Sequence, residues 1–364
     1  HQAVYLRTES GKHEEVAARR LDPEGRPPGG APLEDEVVIP LKVGERPIGR
    51  LLLGPRGDNS EYGSAEFGLL DSLAQSLALS MRNAQLFSEL ESQARMKREL
   101  EIAFEVQMGL LPTELIVPDG AALALTCTPA LEVGGDFYDH VRIDADHWGL
   151  IVGDVAGKGM PAALMMAVTL TLFRTLAAND TSPAAILARL GQLVHRHRPN
   201  KKLFVAAIYA VYDARTGVLT IANAGQPQPL VNGEPVAVKG LPLGATKSPS
   251  YKEVQVPLAA GDTFVAYSDG LEDQEDEAGT QFGLERVQAF FQGRGRETAQ
   301  ETYEALVAML DQYRGSQPLA DDMTVAVLQR TEEAAPVTRL AGTTPLATDA
   351  GRKTRAIGEA GSAE

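Results

Sequence analysis

Cysteine is nearly absent: Cys127 is the only one in 364 residues. An intrachain disulfide and a cysteine-based zinc site are therefore excluded, and nothing asks for an oxidising compartment. Long apolar runs are lacking too. The longest, Ala162 to Phe173, is interrupted by Thr169 and Thr171 and is too short to span a bilayer. No signal-peptide pattern opens the chain. Positive charge is scarce, with 34 Lys+Arg against 49 Asp+Glu and a net charge of −15. A field of that sign repels nucleic acid and anionic membrane surfaces, so neither is an expected partner. The cytoplasm is the expected location. The first residue is His1 and strand-like sequence begins at once, so the chain reads as a fragment.

What is present fits a globular protein with a substantial core: 44% hydrophobic and 23% charged residues, at a length that suggests two domains. Val37–Leu41 and Ile48–Leu53 read as strands of a hairpin around Gly44–Pro47, after a Pro- and Gly-rich loop at Leu21–Leu33. From Ser64, a candidate helix cap, apolar residues recur at spacings of three and four: Leu70, Leu73, Leu77, Met81, Ala84, Phe87, Leu90 and Ala94. Leu100, Ala103, Val106 and Leu110 continue the stripe to Pro112. The pattern predicts a long signalling or coiled-coil helix over 64–111, with two separate helices as the alternative.

Beyond Pro112, strands are predicted at Leu123–Thr128, Trp148–Val152, Phe204–Tyr212, Leu219–Ala222, Thr263–Tyr267 and Thr324–Leu328. Helices are predicted at Pro161–Ala178, Pro183–His195, Leu284–Phe291 and Ala299–Tyr313. Consecutive strands without an intervening helix favour antiparallel pairing and an α+β class. Residues 331–364 lack periodicity and read as a disordered tail.

Aspartates recur where apolar strands begin or end: Gly134-Gly135-Asp136, Gly153-Asp154, Ser268-Asp269-Gly270 and Asp321-Asp322. A single Asp-Gly corner is ordinary turn chemistry. Four in one domain suggest more, because converging carboxylates need cations, and oxygen ligands suit Mg²⁺ or Mn²⁺. The segment Gly153–Gly159 lacks the spacing and the Ser/Thr of a P-loop, so Gly157 and Gly159 shape the loop before the next helix. Lys158 and that helix start remain candidates for attracting phosphate. Asp273, Glu275, Asp276 and Glu277 do not follow EF-hand order and read as a solvated loop. The basic run His195, Arg196, His197, Arg198, Lys201 and Lys202 is explained by the end of a helix, with substrate steering as the lesser alternative.

Gly134–Asp139, then Gly153–Gly159 leading into Ala162-Ala163-Leu164, resemble two blocks of the bacterial sporulation- and stress-type (SpoIIE/RsbU-like, PPM) protein phosphatases of the PP2C superfamily. Asn223-Ala224-Gly225, Gly261-Asp262, Tyr267–Glu272, Phe282-Gly283 and Asp321–Thr324 follow in the same order, and the lead-in Ile102…Gln107…Leu110-Leu111-Pro112 fits as well. The resemblance implies an α-β-β-α sandwich of two antiparallel sheets over 112–330. It also implies a site for two Mn²⁺ or Mg²⁺ ions. By motif, Asp154 bridges the metals, the Val155 carbonyl binds one, Asp269 and Asp321 hold one, and Asp136 serves the other. Asp322 and Asp139 are lesser candidates. Gln226 stands where the family often has His. The implied activity is hydrolysis of phosphoserine or phosphothreonine on a STAS-type anti-anti-sigma protein in a partner-switching pathway. A catalytically inactive scaffold or signal-binding module is the alternative; a nucleotide hydrolase lacks a complete motif.

Residues 1–63, with a last helix running to about 88, resemble the carboxyl half of a GAF sensor domain. The resemblance rests on Val38–Leu41, Ile48-Gly49, Leu51–Gly54, Tyr62, Glu66 and Leu69-Leu70. Together these readings predict a partial sensor, a dimerising helical linker over 64–111 and a phosphatase domain.

Overall fold

In the computed structural model the chain divides into two units, residues 1–99 and 100–364. The structure describes residues 2–7, 13–18, 37–53, 60–115, 117–131, 133–178, 180–294 and 297–332. The loop predicted at 21–33, and the predicted tail apart from residues 331 and 332, lie outside them.

In the first unit, β1 (Gln2–Arg7), β2 (His13–Ala18), β3 (Val37–Val43) and β4 (Arg46–Leu53) form an antiparallel sheet in the order β2-β1-β4-β3. The predicted hairpin is present, with Val37 opposite Leu53 and Val43 opposite Arg46. Helix α1 (Ser64–Leu110) is one continuous helix of 47 residues, which removes the two-helix alternative. Ser64 is its first residue and not its cap. The Gly63 N–H donates to Glu66 Oε2 at 2.7 Å and the Gly63 carbonyl accepts from the Glu66 N–H at 3.0 Å, so glycine occupies the cap. Ala74 and Ala78 are buried with Ile39, Leu41 and Leu53, flanked by Leu70, Leu77 and Met81. Leu73, placed on the predicted stripe, is 55% exposed. The small alanines let the helix close on the sheet where a leucine would hold it off.

The second unit runs β5 (Ala121–Thr128), β6 (Phe137–Arg142), β7 (His147–Val155), α2 (Met160–Ala177), α3 (Pro183–His197), β8 (Val205–Asp213) and β9 (Val218–Ala224). It continues with β10 (Leu230–Val231), β11 (Glu234–Pro235), β12 (Glu253–Pro257), β13 (Thr263–Tyr267), α4 (Gly270–Asp273), α5 (Gly283–Phe291), α6 (Ala299–Arg314) and β14 (Met323–Arg330). Two antiparallel sheets result, in the orders β11-β10-β13-β14-β5 and β12-β9-β8-β7-β6. Along β13, Phe264 and Ala266 point between the sheets, whereas Val265 and Tyr267 point to the helices α5 and α6. Both faces are buried, so the strand reads as one apolar run. On the other side α2 and α3 pack on the second sheet through Met166, Leu170, Phe173, Ile186 and Leu190. The α-β-β-α sandwich is thus formed.

Helix α2 is long and apolar enough to cross a membrane by length and composition alone. Its Ala162, Met166, Thr169, Phe173 and Ala177 are buried in the core, so it serves here as a core helix. The Thr169 hydroxyl donates to the Met165 carbonyl at 2.8 Å and so enters the core satisfied. Sequence patterning missed β6, the short β10 to β12 and α4. Strand β6 carries Asp139 among its apolar residues, and that carboxylate is only 3% exposed.

Candidate active site

The acidic corners meet at one end of the sandwich because the strands that carry them are neighbours. Asp154 is the penultimate residue of β7, Asp136 directly precedes β6, and β6 pairs with β7 so that Phe137 faces Gly153. Asp269 follows β13, Asp321 and Asp322 precede β14, and β13 pairs with β14. Rigid strands thus aim side chains from sequence-distant segments at a common place.

Asp136 is buried, and its Oδ2 accepts a hydrogen bond from the Ser268 hydroxyl at 2.7 Å. Ser268 Oγ in turn accepts the Thr324 N–H at 2.9 Å, which fixes the rotamer. Burial raises the Asp136 carboxyl well above the usual range, and the charge of Asp154 pushes it further, against the Ser268 hydrogen bond. Asp154 is pushed up to about 7, first by burial and then by the charge of Asp269, while a hydrogen bond with Asp136 opposes the rise. Asp269 is raised by burial and by the neighbouring Asp273 and Asp321. The pattern is that of carboxylates held together without enough positive charge among them.

Asp321 is paired with a cation. Its Oδ2 lies 3.0 Å from Lys158 Nζ, which also donates to the Ala320 carbonyl at 3.2 Å. Among the described residues no three His, Cys, Asp or Glu side chains are gathered as a ready ligand set for one ion. Asp154 senses the charges of Asp269 and Asp321 and shares a hydrogen bond with Asp136, but the arrangement with Lys158 on Asp321 is not a closed coordination shell.

The two lesser candidates have protein partners of their own. Asp322 accepts the N–H groups of Ala130 at 2.8 Å and Gly135 at 2.7 Å, so its oxygens anchor the loop that carries Asp136. Asp139 is bound by Arg174 Nε at 2.5 Å, and Arg174 Nη2 donates to the Leu110 carbonyl at 2.7 Å. Through Arg174, Asp139 tethers α2 to the end of α1. Gln226, in the position where His was expected, is buried, and Asn223 brackets its backbone N–H and carbonyl.

The donor set fits a hard divalent cation. It is all oxygen, and it includes a main-chain carbonyl with space kept before it. A Cβ added at Gly135 would lie 2.7 Å from the Val155 carbonyl oxygen and 3.1 Å from Asp154 Oδ1, so glycine keeps that cradle clear. Gly157 and Gly159 have φ of 107° and 74°, which lets the loop turn from Asp154 into α2. The acidic run after α4 stays a loop: Asp276 Oδ1 accepts from the Ala278 and Thr280 N–H groups.

Sequence reasoning gave Gln107 no role of its own. Its side chain, on the last turn of α1, is buried, donates to the Gly134 carbonyl at 2.6 Å and accepts the Gly134 N–H at 3.2 Å. A polar residue inside an apolar helical stripe was the one available signal. Gly134 also lies against Asp322: an added Cβ would sit 2.2 Å from Asp322 Oδ2. Asp322 cannot swing away without releasing two N–H groups, and hydrogen bonds to a charged acceptor are worth about 1.5–3 kcal/mol each. Gly134→Ala is therefore expected to lower stability by roughly 2–4 kcal/mol. Urea unfolding checks this, and a midpoint within error of the wild type would show that the loop relaxes freely.

Comparison with known proteins agrees with this geometry. The family model described as Stage II sporulation protein E (SpoIIE) matches residues 144–331. Phosphoserine phosphatase RsbU of Bacillus subtilis (strain 168) is 30% identical over 250 residues, 65% of this chain and 72% of RsbU. Phosphoserine phosphatase RsbP of the same organism is 26% identical over 185 residues, 49% of this chain and 46% of RsbP. The solved SiaA-PP2C domain of Pseudomonas aeruginosa superimposes with a TM-score of 0.57 at 29% identity, over 65% of this chain and 98% of that domain. Ordered acidic corners, a sandwich of two antiparallel sheets and these matches lead to one statement: the chain belongs to the SpoIIE family of PP2C-type phosphatases.

Proposed function

We propose that this chain is a metal-dependent protein phosphatase that hydrolyses phosphoserine or phosphothreonine on a STAS-type anti-anti-sigma protein in a partner-switching pathway. The observation that carries the reading is the pairing of buried Asp136 with Asp154 beside the open Val155 carbonyl. Asp136, Asp154, Asp269, Asp321 and the Val155 carbonyl would hold two Mn²⁺ or Mg²⁺ ions. Such ions, when bound, offset charge on phosphoryl oxygens and ease loss of a proton from water. Ser268 and the Gly134–Gly135 turn hold Asp136 in place for that role. Lys158 is half-exposed beside Asp321, and with a cation held at Asp321 its ammonium would be available to a substrate phosphate. Gly157 and Gly159 provide the backbone freedom for that loop to approach the substrate.

The first unit serves in this proposal as a partial GAF sensor, and α1 as the dimerising linker. Phe87 and Leu90, three residues apart on one side of α1, are 72% and 63% exposed, an apolar surface that a second copy of the helix would cover. The alternative reading, a catalytically inactive PP2C-fold scaffold, draws on the Lys158–Asp321 ion pair, which keeps one carboxylate engaged.

Phosphate release from phosphorylated STAS-domain proteins, measured with and without Mn²⁺, separates the two readings. Release is expected only with the metal, and a chain lacking residues 1–95 is expected to differ from the full chain in rate and in dimer content. No release from any phosphoprotein with Mn²⁺ present would favour the scaffold. Equal rates and equal dimer content for the two chains would remove the linker from the account.

A further inference from the structure

In a chain of net charge −15, Arg196, Arg198, Lys201 and Lys202 cluster at the end of α3 and in the loop after it. None of the four forms an ion pair among the described residues. The helix dipole accounts for Arg196 in the last turn. It does not account for Lys201 and Lys202, which lie past the helix end at Arg198.

The loop is shaped. Asn200 Oδ1 accepts the N–H groups of Lys202 at 2.7 Å and Leu203 at 3.1 Å. The Arg198 guanidinium lies 5.4 Å from the centre of the Phe204 ring, and its Nη1 donates to the Lys201 carbonyl at 3.1 Å. Both lysines are left exposed.

The position of the loop gives it a use. The Phe204 carbonyl accepts the Ala156 N–H at 2.9 Å, and in the β7–β8 ladder Val205 faces Val155 and Ala206 faces Asp154. At most about 11 Å of backbone separates Lys202 from Val205. The only strongly basic loop of the α3–β8 connection thus emerges at the rim of the carboxylate site. The site itself repels acidic residues, so a protein substrate carrying acid around its phosphorylated side chain needs attraction from beside it.

We propose that the loop Arg198–Phe204 is a docking surface for acidic residues flanking the phosphorylated side chain of a protein substrate. The proposal deepens, and rests on, the phosphatase reading above. Its probes are two fluorescent phosphoserine peptides with a common core, one flanked by Asp and Glu and one by Ser and Gly. Binding to the full chain with Mn²⁺ is read by fluorescence anisotropy, so docking is visible whether or not turnover occurs. Phosphate release from both peptides is followed in parallel.

At about 50 mM salt the acid-flanked peptide is expected to bind roughly tenfold more tightly, and the advantage is expected to shrink at about 300 mM. The double substitution K201E/K202E abolishes the preference, whereas K252E, a charge reversal on another exposed lysine, retains it. Equal binding of both peptides to the wild type, or a preference that survives K201E/K202E, overturns the docking surface. So does a loss confined to phosphatidylserine vesicles, which would make the loop a membrane contact. Peptide preference without any phosphate release would instead overturn the phosphatase reading.

Discussion

Asp154→Asn is expected to lower metal-dependent phosphate release by at least about a hundredfold while making the metal-free protein more stable above pH 7. The two effects share a cause. Asp154 sits among carboxylates that raise its pKa to about 7 after burial has begun the shift. Asp136 is raised in the same direction by burial and by Asp154 itself. A cluster so arranged favours a proton, or a cation in its place. The amide removes a charge that the metal-free fold tolerates poorly and that, in the proposed reaction, would hold the metal.

The pH window follows from the sign. An unfolded aspartate loses its proton near about 4. The folded Asp154 keeps it to about 7. Between those values the folded state binds more protons, so stability falls as pH rises, by at most about 1.4 kcal/mol per pH unit from this group. Because the two carboxyls interact, the titration belongs to the pair and not to either residue alone. Metal-free wild type should therefore melt at a higher temperature at pH 5 than at pH 8. Mn²⁺ should close that gap, and D154N should flatten the slope. Thermal melts across pH with a chelator present check this; a wild-type profile as flat as that of D154N would show that the carboxylates do not feel one another.

The legible parts of the fold were those where local pattern and tertiary environment agree. Strand β13 was read from Thr263–Tyr267 because both its faces are apolar, and the acidic corners from Asp beside Gly at strand ends. What stayed hidden was pairing. Asp322 looked like a ligand, yet its partners are the N–H groups of Ala130 and Gly135, nearly two hundred positions away in the chain. Asp139 looked like part of an acidic motif, but Arg174 takes it. Lys158 was a candidate for attracting phosphate, and its partner here, Asp321, was not visible in the sequence. Residue types announce what chemistry is possible; which neighbour claims an oxygen depends on the topology that brings distant segments together.

Gln107→Leu is the second large effect expected, and it separates packing from positioning. Leucine fills a similar volume but leaves the Gly134 N–H and carbonyl without their partner. Each unsatisfied buried group costs about 1–3 kcal/mol, so a loss of roughly 2–4 kcal/mol in stability is expected. Destabilisation alone would describe any buried hydrogen-bonded pin. Gly134 does more, since the next residue donates to Asp322 and gives its carbonyl to the Val155 N–H at 3.3 Å, and the one after that is Asp136. Releasing the turn should blur the position of Asp136 against Val155, and the Mn²⁺ concentration for half-maximal binding should rise about tenfold, a step of about 1.4 kcal/mol. Mn²⁺ binding measured by electron paramagnetic resonance at a temperature where each variant stays folded gives the answer. If the leucine variant melts early but binds Mn²⁺ as tightly as the wild type, Gln107 holds the loop without setting the site.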